Sequence, residues 1–289
     1  MTPAVSAADL AAPPASRTLR VMGILNVTPD SFSDGGRFAA AETAITHGLA
    51  LRAAGADLVD VGGESTRPGA PRVDPEVELA RVLPVIRELA GAGVLCSVDT
   101  TRSAVAEAAA GAGAVVVNDV SGGLADPLMA KVVAEYELPW VLMHWRAHSL
   151  TMAAHAVYAD VVTDVRDELA ARVDAALSAG VRADRIIVDP GLGFAKNGVH
   201  NWALLNRLAE LQALGFPVLI GASRKRFLPT SGHPAGSAAD LAARDLSTAV
   251  ITALVAAQGV WGVRVHDAAS SARAAEVVTA INESGSGAP

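Results

Sequence analysis

Eight short apolar runs, each followed by a longer Ala-rich stretch, constrain the fold of this chain more than any other feature. The runs are Val21–Leu25, Leu58–Val61, Val94–Val98, Val115–Val117, Trp140–Met143, Ile186–Val188, Val218–Ile220 and Gly262–Val265. Helix-like segments follow them, near Ala41–Ala54, Pro75–Ala90, Ser103–Ala110, Pro127–Glu135, Ala159–Ala179, Asn201–Leu214, Ala239–Gln258 and Ser270–Ile281. Runs this short read as buried strands. Eight strands, each followed by a helix, predict a parallel (β/α)8 barrel, the TIM barrel of the α/β class, as a single domain. The 289 residues suffice, since such barrels take about 250 residues as one domain. Turns such as Ala53-Ala54-Gly55-Ala56 and Gly111-Ala112-Gly113 close several helices as glycine C-caps should. A doubly wound open sheet is the structural alternative. It is weakened because no glycine-rich dinucleotide fingerprint follows the first strand.

Composition narrows the function. Aromatic residues make up only 4% of the chain, which suits a core of Val, Ile, Leu and Ala. The formal net charge of −7 argues against nucleic acid as a partner. An anionic substrate must therefore be caught by local cations. The single cysteine, Cys96, sits inside an apolar run and reads as a small core residue. No run of about 18 uncharged apolar residues appears, so no membrane span is expected. The first 18 residues, rich in Ala, Pro and Ser, read as a disordered tail, and 284–289 as a loose end. The barrel domain is thus expected over 19–283. The start lacks the basic and apolar regions of a secretory signal, so cytoplasm is the default location.

The residues at the carboxyl ends of the strands carry the chemistry. They are Asn26, Glu64, Asp99, Asn118, His144, Asp189, the trio Ser223-Arg224-Lys225, and Arg264 with His266. In a barrel these ends converge on one mouth, where active sites lie. A single polar strand end is readily a cap. Polar groups at all eight are hard to explain structurally, because buried polar groups cost energy unless paired.

These residues sort into two groups. Asp99, Asn118, Asp189 and Lys225 suit a flat heterocycle: a carboxylate takes two parallel N–H bonds from an amino-pyrimidinone edge, and Lys225 donates to ring acceptors. Val120, Met143 and Phe194 stand near enough in sequence to pack on such a ring, although each taken singly reads as ordinary core. Asn26, Arg67, Arg264 and His266 make an anion site, because guanidinium forks match phosphate. The loop after the first strand, Asn26–Gly36 (NVTPDSFSDGG), is richer in hydroxyls and carboxylates than a connector needs. Asn26 or Asp34 would meet a Mg²⁺ that bridges a diphosphate, since Mg²⁺ takes few protein ligands. Two long connectors, Arg146–Tyr158 and Pro229–Ser237, stand out, and the second is small-residue rich and expected to be disordered.

NVTPDSFSDGG resembles the first loop of the dihydropteroate synthases, folate-pathway enzymes of the pterin-binding TIM-barrel superfamily and the target of sulfonamides. Further segments extend the resemblance in order: Asp60–Gly69 (DVGGESTRPG), Val98–Thr100 with Asn118–Gly123 (NDVSGG), Asp189–Lys196 (DPGLGFAK), Gly221–Phe227 (GASRKRF) and Arg264–Asp267 (RVHD). Together they cover roughly Arg20 to Ile281. The resemblance implies a pterin pocket of Asp99, Asn118, Val120, Met143, Asp189, Phe194, Gly221 and Lys225. It implies a diphosphate site of Asn26, Arg67, Arg264 and His266, with Mg²⁺ on Asn26. It implies that Phe32, Thr66, Pro68 and Ser223 frame p-aminobenzoate. Asp34, Arg67, Asp99, Lys225, Arg264 and His266 are the expected catalytic set, and a homodimer packed through the last helices is the expected assembly. Ala195 stands where many members carry Gly, and 229–239 has no clear counterpart. Glu64 belongs to a motif without an evident task.

The expected reaction joins 6-hydroxymethyl-7,8-dihydropterin diphosphate to p-aminobenzoate, giving 7,8-dihydropteroate and diphosphate. An aniline nitrogen is a weak nucleophile and a pterin methyl cation is delocalised, so departure before attack is expected. The alternatives are a pterin-dependent corrinoid methyltransferase, which needs no diphosphate site, and a non-catalytic pterin-binding paralogue, which would be expected to have lost loop residues retained here.

Overall fold

The computed structural model describes residues 10, 17–28, 36–65, 70, 72–148, 151–230 and 232–286. Strands and helices alternate: β1 (Arg20–Asn26), α1 (Gly36–Ala53), β2 (Leu58–Gly62), α2 (Pro75–Gly91), β3 (Cys96–Asp99), α3 (Ser103–Ala112), β4 (Ala114–Asp119), α4 (Met129–Glu135) and β5 (Trp140–Met143). They continue with α5 (Val161–Ser178), β6 (Ile186–Asp189), α6 (Gly198–Asn206), α7 (Leu208–Gln212), β7 (Leu219–Ile220), α8 (Ala238–Ala256), β8 (Gly262–Val265) and α9 (Ala268–Ser286). The sheet runs β6-β5-β4-β3-β2-β1-β8-β7, and every strand pairing within it is parallel. A parallel bridge between Val188 and Val218 joins β6 to β7. The sheet therefore closes into a (β/α)8 barrel, and the open-sheet alternative falls.

Strand alternation sorts the side chains of each strand into two populations. Val59, Val61, Cys96, Val98, Val117, Leu142, Val188, Ile220, Val263 and Val265 belong to the large core shared with the helices. The burial of Cys96 there pushes its thiol up to about 12, which suits an inert core residue. Met22, Leu58, Val116, Val141, Ile187 and Leu219 form a separate buried cluster with Trp261. They are the inward residues near the strand starts, so they fill the barrel floor. Further along, inward positions on several strands turn polar, Asp60 on β2, Asp99 on β3, Asn118 on β4, Asp189 on β6 and Arg264 on β8, and these build the site.

The structure departs from the sequence expectations in four places. Leu10, inside the stretch read as a loose tail, is fully buried against the floor cluster. Its carbonyl accepts from the Trp261 indole at 2.7 Å and from Arg20 Nε at 2.9 Å. Nearby, Arg17 pairs with Asp57 at 2.5 Å. At the other end, α9 runs through Ser286, into the stretch read as loose. The single helix expected over Asn201–Leu214 is two helices with a break at Arg207, whose φ and ψ are −109° and 34°. At the break, Arg207 reaches Asp160 at 2.7 Å and Glu210 at 2.6 Å. The connector 229–237, expected to be disordered, is tied down at both ends. Ser247 Oγ donates to the Pro229 carbonyl at 3.2 Å. Ser237 caps α8 by accepting from Asp240 N at 3.1 Å, and Gly236 N donates to Asp240 at 2.9 Å.

Candidate active site

Arg264, inward on β8, occupies the centre of the polar layer. Its Nε donates to Asp60 at 2.5 Å and its Nη2 to Asp99 at 2.6 Å, so one guanidinium bridges inward carboxylates from β2 and β3. Asp60 is completely buried. It also accepts from Asn118 Nδ2 at 2.9 Å and from the Ser97 hydroxyl. Asp60, Ser97, Asp99, Asn118 and Arg264 thus form one network across four strands. A carboxylate so buried persists only when fully partnered.

Charge balance in this network follows from burial. Burial works against the Arg264 cation, but Asp60 and Asp99 outweigh it and hold the guanidinium firmly protonated. Burial pushes the Asp99 carboxyl up to about 7; Arg264 opposes the rise, while Asp60, Glu78 and Asp119 add repulsion. Asp99 therefore binds a proton more tightly folded than unfolded. Its contribution to stability falls as pH rises from the ordinary carboxylate range to about 7. Asp99→Asn removes that slope. The difference in melting temperature, variant minus parent, is expected to be more positive at pH 8 than at pH 4, as followed by calorimetry without ligand. Parallel pH curves for the two proteins would contradict this assignment.

Opposite this network stands a second group on β6 and β7. Asp189 ends β6, and its Oδ1 accepts from Gly191 N at 2.7 Å. Burial raises its carboxyl, opposed by the Gly191 N–H and by Lys225. Gly221, just past β7, faces the other oxygen: a Cβ there would stand 3.7 Å from Asp189 Oδ2. Lys225 donates to the Leu192 carbonyl, and its ammonium lies 4.4 Å from the centre of the Phe194 ring. Burial lowers Lys225 to about 8, with Asp189 opposing and Arg264 adding to the fall. Gly193 has φ +77°, and a Cβ there would come within 2.8 Å of the Lys225 stem. Only glycine lets this lysine cross the loop. Met143 and Val120 are both buried at the neighbouring strand ends.

Ser223 and His266 meet at the β7–β8 side. Ser223 Oγ accepts the His266 backbone N–H at 3.0 Å and lies 2.9 Å from its Nδ1. One hydroxyl thus fixes the ring of a residue read as anion-binding, although Ser223 itself was read as framing the arylamine. Asn26 ends β1, level with Gly62 of β2. Glu64, which had no evident task, anchors the start of the β2–α2 loop. It accepts from Val73 N at 3.0 Å and pairs with Arg102 at 2.9 Å. Phe32, Asp34, Thr66, Arg67 and Pro68 lie outside the described residues. Among the described residues no group of three or more His, Cys, Asp or Glu is placed to hold a metal.

Sequence reasoning missed Asp60 as a site residue, although a carboxylate inside an otherwise apolar strand run is a detectable signal. It also missed the supports behind the β7 loop. Arg244 of α8 donates to the Lys225 carbonyl at 2.6 Å. Asp245 holds Arg224 in a two-pronged pair at 2.8 Å, with Arg224 at φ +56°.

A barrel whose mouth opposes carboxylates and an amide to a buried lysine has the donors and acceptors that suit a flat, hydrogen-bonding heterocycle. Comparisons with known proteins agree. The pterin binding enzyme family matches residues 22–266. A dihydropteroate synthase from Mycobacterium leprae is 56% identical over 264 residues, covering 91% of this chain and 93% of its own. Among solved structures, dihydropteroate synthase from Xanthomonas albilineans with 4-aminobenzoic acid superposes with a TM-score of 0.82 at 41% identity, covering 97% of this chain and 95% of that one. The Clostridium difficile enzyme, solved in the presence of pteroic acid, gives a TM-score of 0.84 at 39% identity over 92% and 97% of the two chains. The chain belongs to the pterin binding enzyme family, in its dihydropteroate synthase branch.

Proposed function

We propose that the mouth binds the dihydropterin ring between the two groups of side chains and transfers its methyl carbon from diphosphate to p-aminobenzoate. The observation that carries this reading is Arg264, held by Asp60 and Asp99 on one side of the barrel while Asp189 and Lys225 stand on the other. Asp99, Asn118 and Asp189 accept from or donate to the ring edge, Lys225 donates to a ring acceptor, and Val120, Met143, Phe194 and Gly221 line its faces. Relatives solved with 4-aminobenzoic acid and with pteroic acid support the same pair of ligands.

The chemistry is a displacement at carbon. The bond from the pterin methyl carbon to the diphosphate oxygen breaks, and the electron pair leaves with diphosphate. Charge delocalised into the ring is stabilised by Asp99 and Asp189, and the aniline nitrogen then forms the new C–N bond and loses a proton. Fixed donors aimed at a developing charge supply the largest catalytic effect in such sites. Arg264, His266 and Asn26 are the described groups assigned in this reading to the leaving diphosphate, with Arg67 and Asp34 completing the catalytic set. Ser223, with Phe32, Thr66 and Pro68, frames the arylamine. Asn26 offers a single neutral oxygen, and the nearby carboxylates are already engaged by Arg264. That donor set fits a Mg²⁺ whose remaining ligands are phosphate and water oxygens. Such an ion would neutralise leaving-group charge.

The experiment is diphosphate release from dihydropterin methyl diphosphate, with and without Mg²⁺ and with and without p-aminobenzoate. Release coupled to dihydropteroate is the expected result. Release without the arylamine supports departure before attack, and pterin binding without any release would leave only a pterin-binding protein.

A second copy of the chain is the proposed partner, and the cytoplasm the proposed location. No helix among the described residues is long and apolar enough to cross a membrane. Leu246, Val250 and Leu254 lie four residues apart on α8 with exposures of 68%, 54% and 60%. They form one apolar stripe. It borders a hollow of about 760 Å³ against α6, lined by Val199, Trp202, Leu205 and Ile251. Leu254→Glu is expected to halve the mass found by sedimentation. An unchanged mass would place any interface elsewhere.

A further inference from the structure

In the loop 190–197, which carries Phe194 over Lys225, several backbone carbonyls and N–H groups are held by side chains. Lys225 takes the Leu192 carbonyl. Asn201 accepts from Gly193 N at 2.7 Å. Lys196 Nζ donates to the Phe194 carbonyl at 3.0 Å, and Tyr158 donates to the Ala195 carbonyl at 2.9 Å. Ala195 adopts φ +48°, a conformation that non-glycine residues rarely keep without support.

Lys196 and Tyr158 are themselves joined by a closed circuit through the β5–α5 connector. Lys196 Nζ also lies 2.9 Å from His144 Nδ1. Glu168, an ionised carboxylate held by Arg146, can only accept from the other ring nitrogen, so the imidazole proton sits on Nε2 and Nδ1 accepts from Lys196. That Nε2–H faces Glu168 at 2.9 Å. Glu168 in turn pairs with Arg146, whose guanidinium stacks 3.9 Å over the Tyr158 ring. Tyr158 then returns to Ala195, beside Lys196. Burial holds His144 near 4, so it stays a neutral relay. It also holds Lys196 well below the usual lysine range, with Asp189 pulling the other way. The carboxylate that the lysine reaches by hydrogen bonds is Glu168, through one imidazole.

We propose that Lys196, tied through His144 to Glu168, is a positioning residue for the pterin site: by holding the Phe194 carbonyl it fixes the ring that faces Lys225. This rests on the reading of Phe194 and Lys225 as pterin-binding groups. Among the described residues, the circuit's hydrogen bonds reach neither Ser223 on the arylamine side nor Asn26, Arg264 or His266 on the diphosphate side, so its loss should fall mainly on the pterin substrate.

The test is steady-state kinetics on Lys196→Met, Lys196→Arg and Glu168→Gln. Lys196→Met is expected to raise KM for the pterin diphosphate about tenfold, the loss of one charge-assisted hydrogen bond. KM for p-aminobenzoate should stay within about twofold. Lys196→Arg, which keeps a donating cation, should recover most of the pterin KM. Glu168→Gln should shift the pterin KM in the same direction but less. Glu168 is 41% exposed on α5, so this variant carries the test if Lys196→Met does not fold. Equal rises in both KM values, or a pterin KM within about twofold of the parent in both Lys196→Met and Glu168→Gln, would overturn the proposal. Absence of pterin turnover in the parent enzyme would instead overturn the reading of the site on which it rests.

Discussion

Arg264→Ala is expected to reduce dihydropteroate formation by about 10²–10³-fold or more, the usual effect of removing one preorganised charge-stabilising group. The loss should appear in kcat, because Arg264 faces charge that grows as diphosphate departs. The same change leaves Asp60, wholly buried, and Asp99, nearly so, without their shared cation. Breaking a buried pair from one side costs about 3–5 kcal/mol, so the melting temperature should also fall. Arg264→Lys tests geometry against charge. A lysine keeps the cation but lacks the fork that spans both carboxylates. It should restore stability in part and turnover hardly at all. Unchanged kcat in Arg264→Ala would remove this residue from the mechanism.

Lys225→Met is the second large effect. The substitution keeps the stem that crosses Gly193 and removes the ammonium over Phe194. Pterin affinity, measured by calorimetry, is expected to fall on the order of 100-fold, as for a charged hydrogen bond worth about 1.5–3 kcal/mol. The parent should also bind pterin less well as pH rises through about 8, where Lys225 loses its proton. Asp189 and Arg264 are the charged groups that set this value, the first favouring the proton and the second disfavouring it. The variant should lose that pH dependence. A retained inflection near 8 would assign it to another group.

The strand ends were legible because a barrel turns sequence position into a shared location. Asp99, Asn118, Asp189 and Arg264 needed only the strand count to be placed at one mouth. Asp60 was quoted within a motif but read as part of an apolar run, since its partners come from β3, β4 and β8. The circuit of Lys196, His144, Glu168, Arg146 and Tyr158 was illegible for a stronger reason. It closes through contacts 52 and 24 residues apart, and no local pattern encodes such a closure. Leu10 was hidden by its surroundings: a tail of Ala, Pro and Ser looks unable to bury anything, yet one leucine suffices to stopper the floor. The helix break at Arg207, which pairs with Asp160 from 47 residues away, was likewise invisible to helical periodicity.

Neighbouring residues on one strand answer to different demands. Val59 and Val61 face the helices, while Asp60 between them faces the polar layer. A substitution at an odd position of β2 would be felt as a poorer melt and lower yield, with surviving enzyme working normally. One at Asp60 would be felt as failed chemistry. Mutational drift in this chain should therefore leave a two-beat rhythm along each strand. Tolerated changes at outward sites and at the inward floor should conserve volume, and tolerated changes at the inward polar layer should conserve hydrogen-bonding pattern.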